Sequence, residues 1–239
     1  AVGVVIWFAR ALALLAPARR GDREAGAVML EFCMALLIIL PMSMVIAQSS
    51  LLMVGNFCVQ YAAFCAARTA IVEVPRHDVG EQHNYLAGGL DSGKQLRIRR
   101  AAVYAVLPVS SSHPDAPSAP VDDLATAVED LFAAYGEDAP PVLLNRLSRR
   151  MGYAEHYTEV EVAPPADRRS LYTAHETLHV RIEHLFCMSV PYASRLYAEL
   201  DDDGEPLGWG GMYGMRIRAT CSLPNEGEQD YIYVEDFPR

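Results

Sequence analysis

From Phe32 to Ala67, a run of 36 residues, the chain carries no charged side chain. A hydrocarbon core about 30 Å thick needs roughly 20 apolar residues as helix. The stretch from Val28 to Val54 supplies them, with Leu36, Leu37, Ile38, Ile39 and Leu40 at its centre. A buried helix of this length in a soluble protein shows a polar stripe along one side, and none is visible here. The run therefore reads as a membrane span.

The flanks orient it. Residues 1–26 hold four Arg against two acids, and residues 27–68 hold only Glu31 and Arg68. Residues 69–239 hold 15 Lys and Arg against 27 Asp and Glu, a net of −12. Arg19, Arg20 and Arg23 stand just before the span, and no cation follows it until Arg68. The positive-inside rule places the N-terminal side in the cytoplasm and the acidic block outside. No second stretch of comparable length returns the chain, so the expected topology is single-pass. The acidic block has no basic stripe and would repel phosphate, which argues against nucleic acid as a partner.

Two residues depart from a plain anchor. Glu31 interrupts the apolar run, where a centrally placed carboxylate costs about 2.5–3.5 kcal/mol, and less near the interface. Pro41 removes a helix hydrogen bond in mid-span and favours a kink. The junction before the span reads Gly21-Asp22-Arg23-Glu24-Ala25-Gly26, followed by Ala27-Val28-Met29-Leu30-Glu31-Phe32. Gly26, four apolar residues, then Glu31-Phe32 opening a long apolar helix resembles the class III signal of type IV pilin-like precursors.

Within that superfamily, the segment from Gly26 through Pro41 is similar to the TadE-like proteins of tight-adherence (Tad/Flp) pili. A second likeness lies in Ala62-Ala63-Phe64-Cys65-Ala66-Ala67-Arg68-Thr69-Ala70, a small-residue segment closing the long helix. Together these matches cover roughly residues 21–72. The resemblance implies a minor pilin or pseudopilin, cut after Gly26 by a prepilin peptidase so that Ala27 becomes the new N-terminus and Glu31 the fifth mature residue. Other pilin subunits, an inner-membrane assembly platform and membrane lipid are the implied partners, the location is the bacterial inner membrane or a surface pilus, and no cofactor is implied. The spacing has a physical reason. Glu31 can neutralise a neighbour's new ammonium, an attraction of about 4 kcal/mol at 4 Å and an effective dielectric of 20, comparable to the insertion cost.

The implied organisation is a basic leader over 1–26, a pilin-like helix over 27–72 with its span at 27–54, and an outer domain over 73–239. Residues 1–16 are apolar around Arg10, longer and greasier than such a leader requires. They also fit a signal-type stretch, with Ala16-Pro17-Ala18 a poor cleavage candidate, or sequence upstream of the true start. Continuous helix from Ala27 to Val72 would measure about 69 Å, more than twice the bilayer core. Its outer half is rich in small residues, Gly55, Ala62, Ala63, Ala66, Ala67 and Ala70. They suit close packing, either on the chain's own outer domain or against neighbouring subunits.

The expected fold class is α+β, the long helix followed by an antiparallel sheet with a helical insertion near 121–151. A polar loop spans Pro75–Gly93, and Gln95–Val109 reads as a strand with Leu96, Ile98, Val103 and Val109 on one side and Arg97, Arg99 and Arg100 exposed. Ser110–Pro120 is a surface loop. Asp122–Tyr135 and Pro141–Met151 read as two helices. Period-two alternation predicts strands at 157–162, 178–183, 215–220 and 231–234.

His175-Glu176-Thr177-Leu178-His179 matches the H-E-x-x-H zinc motif and carries the rival reading, a membrane-anchored zinc hydrolase. On a helix the two His stand about 6 Å apart along the axis, whereas four residues of strand separate them by about 13 Å, too far for one metal. Leu178, Val180 and Ile182 favour the strand; Leu171, Ala174, Leu178, Ile182 and Leu185 also fit a helix. No third ligand is evident: His184 is misplaced, and Glu199 and Asp201 have no spacing to recommend them. Cys187 and Cys221, near the ends of two predicted strands outside the membrane, are candidates for a disulfide. A third reading is an uncleaved single-pass protein that presents an acidic binding domain, with Glu31 incidental.

Overall fold

The computed structural model describes residues 22–76, 83–86, 92–113, 118–119, 122–164, 171–173, 175–200, 206–209 and 212–225. The chain is α+β and divides into two compact units, residues 1–46 and 47–239. Helix α1 is Asp22–Glu73, 52 residues with Pro41 inside it. In the first unit its side chains from Met29 to Met42 are all exposed, with Leu, Ile, Met and Phe predominating. Of the helices among the described residues, α1 is the one long and apolar enough to cross a membrane, over Met29–Glu73.

In the second unit the outer half of α1 acquires a buried side. Val59, Ala62, Ala63, Ala66, Ala67 and Ala70 are removed from solvent. The small side chains let the helix axis approach the sheet, and Gly55 marks the closest point. A Cβ there would lie 2.8 Å from two ring carbons of Phe186 and 3.1 Å from Ile217 Cδ1. This small face docks on the chain's own domain, the first of the two roles expected of it.

Helix α2, Gly93–Val106, is followed by a 3-10 turn at Leu107–Val109. This corrects the strand expected at Gln95–Val109. Lys94, Ile98, Ala102, Val103 and Val106 are buried, a spacing of three and four that belongs to a helix. The alternation of Arg97 and Arg99 around Ile98 mimicked a strand over only a few residues. Ser92 caps the helix, its side chain accepting from Gln95 N at 3.4 Å, a device that favours helix over strand at this point.

Helices α3, Asp122–Ala134, and α4, Pro141–Tyr157, form the helical insertion. The second runs two turns beyond the expected end and leads directly into β1, Thr158–Val162. Strand β2 is Thr177–Met188, a short helix α5 covers Ala193–Tyr197, and β3 and β4 are Gly208–Trp209 and Met212–Pro224. The sheet is antiparallel with order β1-β2-β4-β3. The strand expected at 231–234 lies outside the described residues.

Alternation of β2 fixes its two faces. Leu178, Val180, Ile182, His184, Phe186 and Met188 are buried. Register places Val160 and Ala219 beside Ile182, and Thr158 and Ile217 beside His184. The apolar ones among them share one hydrophobic core with α1, α2 and α4. The opposite face carries Glu159, Glu161, Arg181, Glu183, Arg218 and Thr220, the division expected of an antiparallel sheet wetted on one side.

Candidate functional site

The processing and assembly residues all fall on α1. Gly26 and Ala27 lie in its second turn, and Glu31, Phe32 and Pro41 follow on the same helix, the last three exposed. Pro41 lacks an N–H, so the carbonyl of Leu37 loses its helical donor. One turn on, Ser43 Oγ donates to the Leu40 carbonyl at 2.8 Å, the kind of side-chain bond that compensates helix backbone near a proline in lipid.

In the second unit, α1 is held by polar contacts that sequence patterning did not single out. Gln48 is fully buried, and its Oε1 accepts from Val190 N at 3.2 Å. Ser49 Oγ and Tyr197 Oη lie 2.6 Å apart. At the far end, Lys94 is buried and its Nζ donates to the carbonyls of Val74 and Tyr85 at 3.0 and 3.3 Å. A cation-bearing side chain against the last carbonyls of a helix complements the negative end of its dipole. Arg97 Nε donates to Glu73 Oε2 at 2.7 Å, tying the last residue of α1 to α2. The one sequence signal for this lock is Ser92, whose cap fixes where α2 begins and hence where Lys94 stands.

The H-E-x-x-H residues do not share a helix. His175 sits in a turn with φ 63°, and His179 stands on β2 with Nδ1 2.6 Å from Ser222 Oγ. Glu176 turns back instead, its Oε2 accepting from Thr173 N and Oγ1 at 2.9 and 3.1 Å. The single helix face that a zinc reading requires is therefore absent from this segment. Among the described residues no group of three His, Cys, Asp or Glu is arranged to hold a metal. Tyr172, whose hydroxyl donates to the Ala163 carbonyl, has its pKa pushed up to about 12 by burial and by the nearby Glu176 carboxylate.

The disulfide expectation is corrected. Cys187 and Cys221 are both free. They lie on adjacent strands, but Cys187 is opposite Gly214 and Cys221 opposite Val180. An offset of seven residues at about 3.3 Å each separates them by roughly 23 Å, against the 4.4–6.8 Å between Cα atoms that a bridge needs. They also point to opposite faces, Cys221 toward the core side with Val180 and Cys187 to the other. Nearness to strand ends suggested the pair; register forbids it.

On the wet face of the sheet, Glu183 gathers three arginines. Arg218 Nε donates to its Oε2 at 2.7 Å, with Arg216 at 3.5 Å and Arg181 at 3.6 Å. The Arg218 hydrogen bond leads in holding the Glu183 carboxyl below the usual range, against a smaller opposing effect of burial. Glu159, Glu161, Arg181 and Glu183 line an open depression of about 180 Å³. On the buried face His184 is fully enclosed. Its Nδ1 lies 2.8 Å from Thr158 Oγ1, its Nε2 has no partner among the described residues, and the Tyr153 ring meets it edge-on at 5.9 Å. Burial alone pushes its pKa down to about 4.

No family model matches this chain, and no curated protein or solved structure does so either.

Proposed function

We propose that this chain is a pilin-like structural subunit of the TadE type, processed after Gly26 and assembled into, or priming, a tight-adherence surface pilus. What supports the reading above all is α1: one uninterrupted helix carries the Gly26 to Pro41 segment and, beyond it, a small-residue face seated on an outer domain. The same helix turns a second face outward. Met53, Phe57, Tyr61, Phe64 and Val72 are exposed at intervals of three, four and eight residues, a stripe suited to a neighbouring subunit in an open, head-to-tail assembly.

Each marked residue has a task in this scheme. Glycine is the weakest helix former short of proline, by about 1 kcal/mol relative to alanine. Gly26 thus lowers the cost of unwinding the start of α1 to admit a peptidase. Release of the Ala27 amine creates a cation whose partner is Glu31 of a neighbouring copy, since a paired charge costs less in lipid than two lone ones. Pro41 weakens the helix in mid-span, allowing it to extend as subunits leave the bilayer. With arginines before the span and the acidic block after it, the N-terminus faces the cytoplasm and the outer domain lies beyond the bacterial inner membrane. The chemistry is done to this chain by the peptidase and the assembly platform, and the chain itself is not an enzyme.

The test is the N-terminal residue of the chain recovered from membranes of cells with and without a prepilin peptidase. An N-terminus at Ala27 that depends on the peptidase is expected. Glu31→Ala is then expected to be cleaved and membrane-bound but missing from sheared surface filaments. A chain that keeps Gly26 in both strains would refute the proposal and leave an uncleaved single-pass protein with an acidic binding domain.

A further inference from the structure

We propose that residues 190–200 form a foot that rests in the headgroup layer of a phospholipid membrane beside the outer end of the span. The inference relies on α1 crossing a membrane, and is independent of whether the chain enters a filament.

The level of this segment follows from α1. A crossing of about 30 Å takes roughly 20 helical residues, so the 27–54 stretch reaches the opposite interface between about residues 47 and 54, centred near Leu51. Residues 190–200 are fastened to the helix at that height. Val190 N donates to Gln48 Oε1 at 3.2 Å, and Tyr197 Oη meets Ser49 Oγ at 2.6 Å. Both anchors lie within three residues of Leu51.

The chemistry of the segment matches that height. Tyr192, Leu196 and Leu200 are 78%, 74% and 59% exposed, while Ala193 and Ser194 between them are buried. The backbone is thus held against the domain with its large apolar side chains turned outward. Tyr192 keeps φ at 62°, a conformation costly for a bulky residue. An isolated exposed leucine is ordinary, but three such side chains on one short, fixed segment at the end of a span are the pattern of an interfacial anchor. Charge points the same way. Residues 69–239 carry −12, whereas residues 190–200 hold one cation, Arg195, and one carboxylate, Glu199, whose Oε2 accepts from Arg216 N at 2.8 Å. The Arg195 guanidinium sits 5.7 Å from the centre of the Tyr213 ring. With one charge of each sign, the segment carries none of the domain's net −12, so it meets anionic lipid without the repulsion that the acidic surface would bring.

Depth-resolved quenching on the full chain in phosphatidylcholine–phosphatidylglycerol vesicles tests the proposal. In a background of Trp7→Phe and Trp209→Phe, single tryptophans are placed at the exposed positions Leu196, Ile38 and Glu159. Leu196→Trp is expected to lose intensity with lipids brominated near the headgroup, Ile38→Trp with lipids brominated deep in the chain, and Glu159→Trp with neither. Leu196→Trp open to aqueous iodide and insensitive to bromolipid, with Ile38→Trp quenched, would overturn the foot and leave the span intact. Leu196→Trp shielded from both quenchers would overturn it in favour of a second copy or another protein. Ile38→Trp insensitive to bromolipid would overturn the span and the foot together.

Discussion

Acid should loosen the outer domain through His184 before it reaches any carboxylate. The imidazole is fully buried against Thr158, Tyr153 and Ile217, and its pKa lies at about 4 in the folded chain against 6.5 for an ordinary histidine. The sign follows from proton uptake. Between these values the unfolded chain binds the proton and the folded chain does not, so stability is complete above pH 6.5 and falls as pH drops toward 4. At pH 5 the loss is about 2 kcal/mol, approaching roughly 3 kcal/mol below pH 4. Glu183 acts in a separate window. Its folded pKa is lowered, so its contribution is present above the unfolded carboxylate value near 4.5 and is lost only below it. The range from pH 7 to 5 therefore isolates the histidine. Urea unfolding of the full chain in detergent, followed by near-ultraviolet circular dichroism, would be compared with Thr158→Val/His184→Leu, which removes the titrating ring without orphaning the hydroxyl. The wild type should lose about 2 kcal/mol more than the variant between pH 7 and 5. Parallel curves over that range would refute the buried, neutral imidazole.

Three further outcomes follow from the packing. Gly55→Leu should destabilise the outer domain by about 1–3 kcal/mol through overpacking against Phe186 and Ile217, despite about 1 kcal/mol gained in helix propensity; a raised thermal midpoint would show that α1 does not dock there. Lys94→Met leaves the carbonyls of Val74 and Tyr85 without this donor and should cost about 1–3 kcal/mol, read as faster amide exchange in the last turns of α1; unchanged exchange would remove Lys94 from the lock. After unfolding without reductant, Cys187 and Cys221 should both take up maleimide in peptide mass spectra; a bridged peptide would contradict the strand register.

The strands expected at 157–162, 178–183 and 215–220 and the helices expected at 122–135 and 141–151 were legible because each repeats its pattern over several residues, although β2, β4 and the second helix run on past those bounds. The helix over 93–106 was not. Its core-facing residues include Lys94, which no apolar pattern counts, and the arginines around Ile98 imitate alternation for five residues. The Cys187–Cys221 pairing failed for a different reason: strand ends can be guessed locally, but register is a property of two strands at once.

What the sequence determined by itself was the long apolar helix, with Glu31 and Pro41 inside it, and the α+β class. Each depends on short-range facts: helical rise against bilayer thickness, the cost of a carboxylate in lipid, and the missing N–H of proline. Tertiary structure alone decided which side of α1 is covered and which is open. It turned the small residues from Ala62 to Ala70 inward, placed Lys94 on the carbonyl of Val74 just past the end of α1, enclosed His184, and drew residues 190–200 to Gln48 and Ser49. Those arrangements join residues up to 148 apart in sequence. They depend on the whole sheet closing over the helix, which no local window of the chain contains.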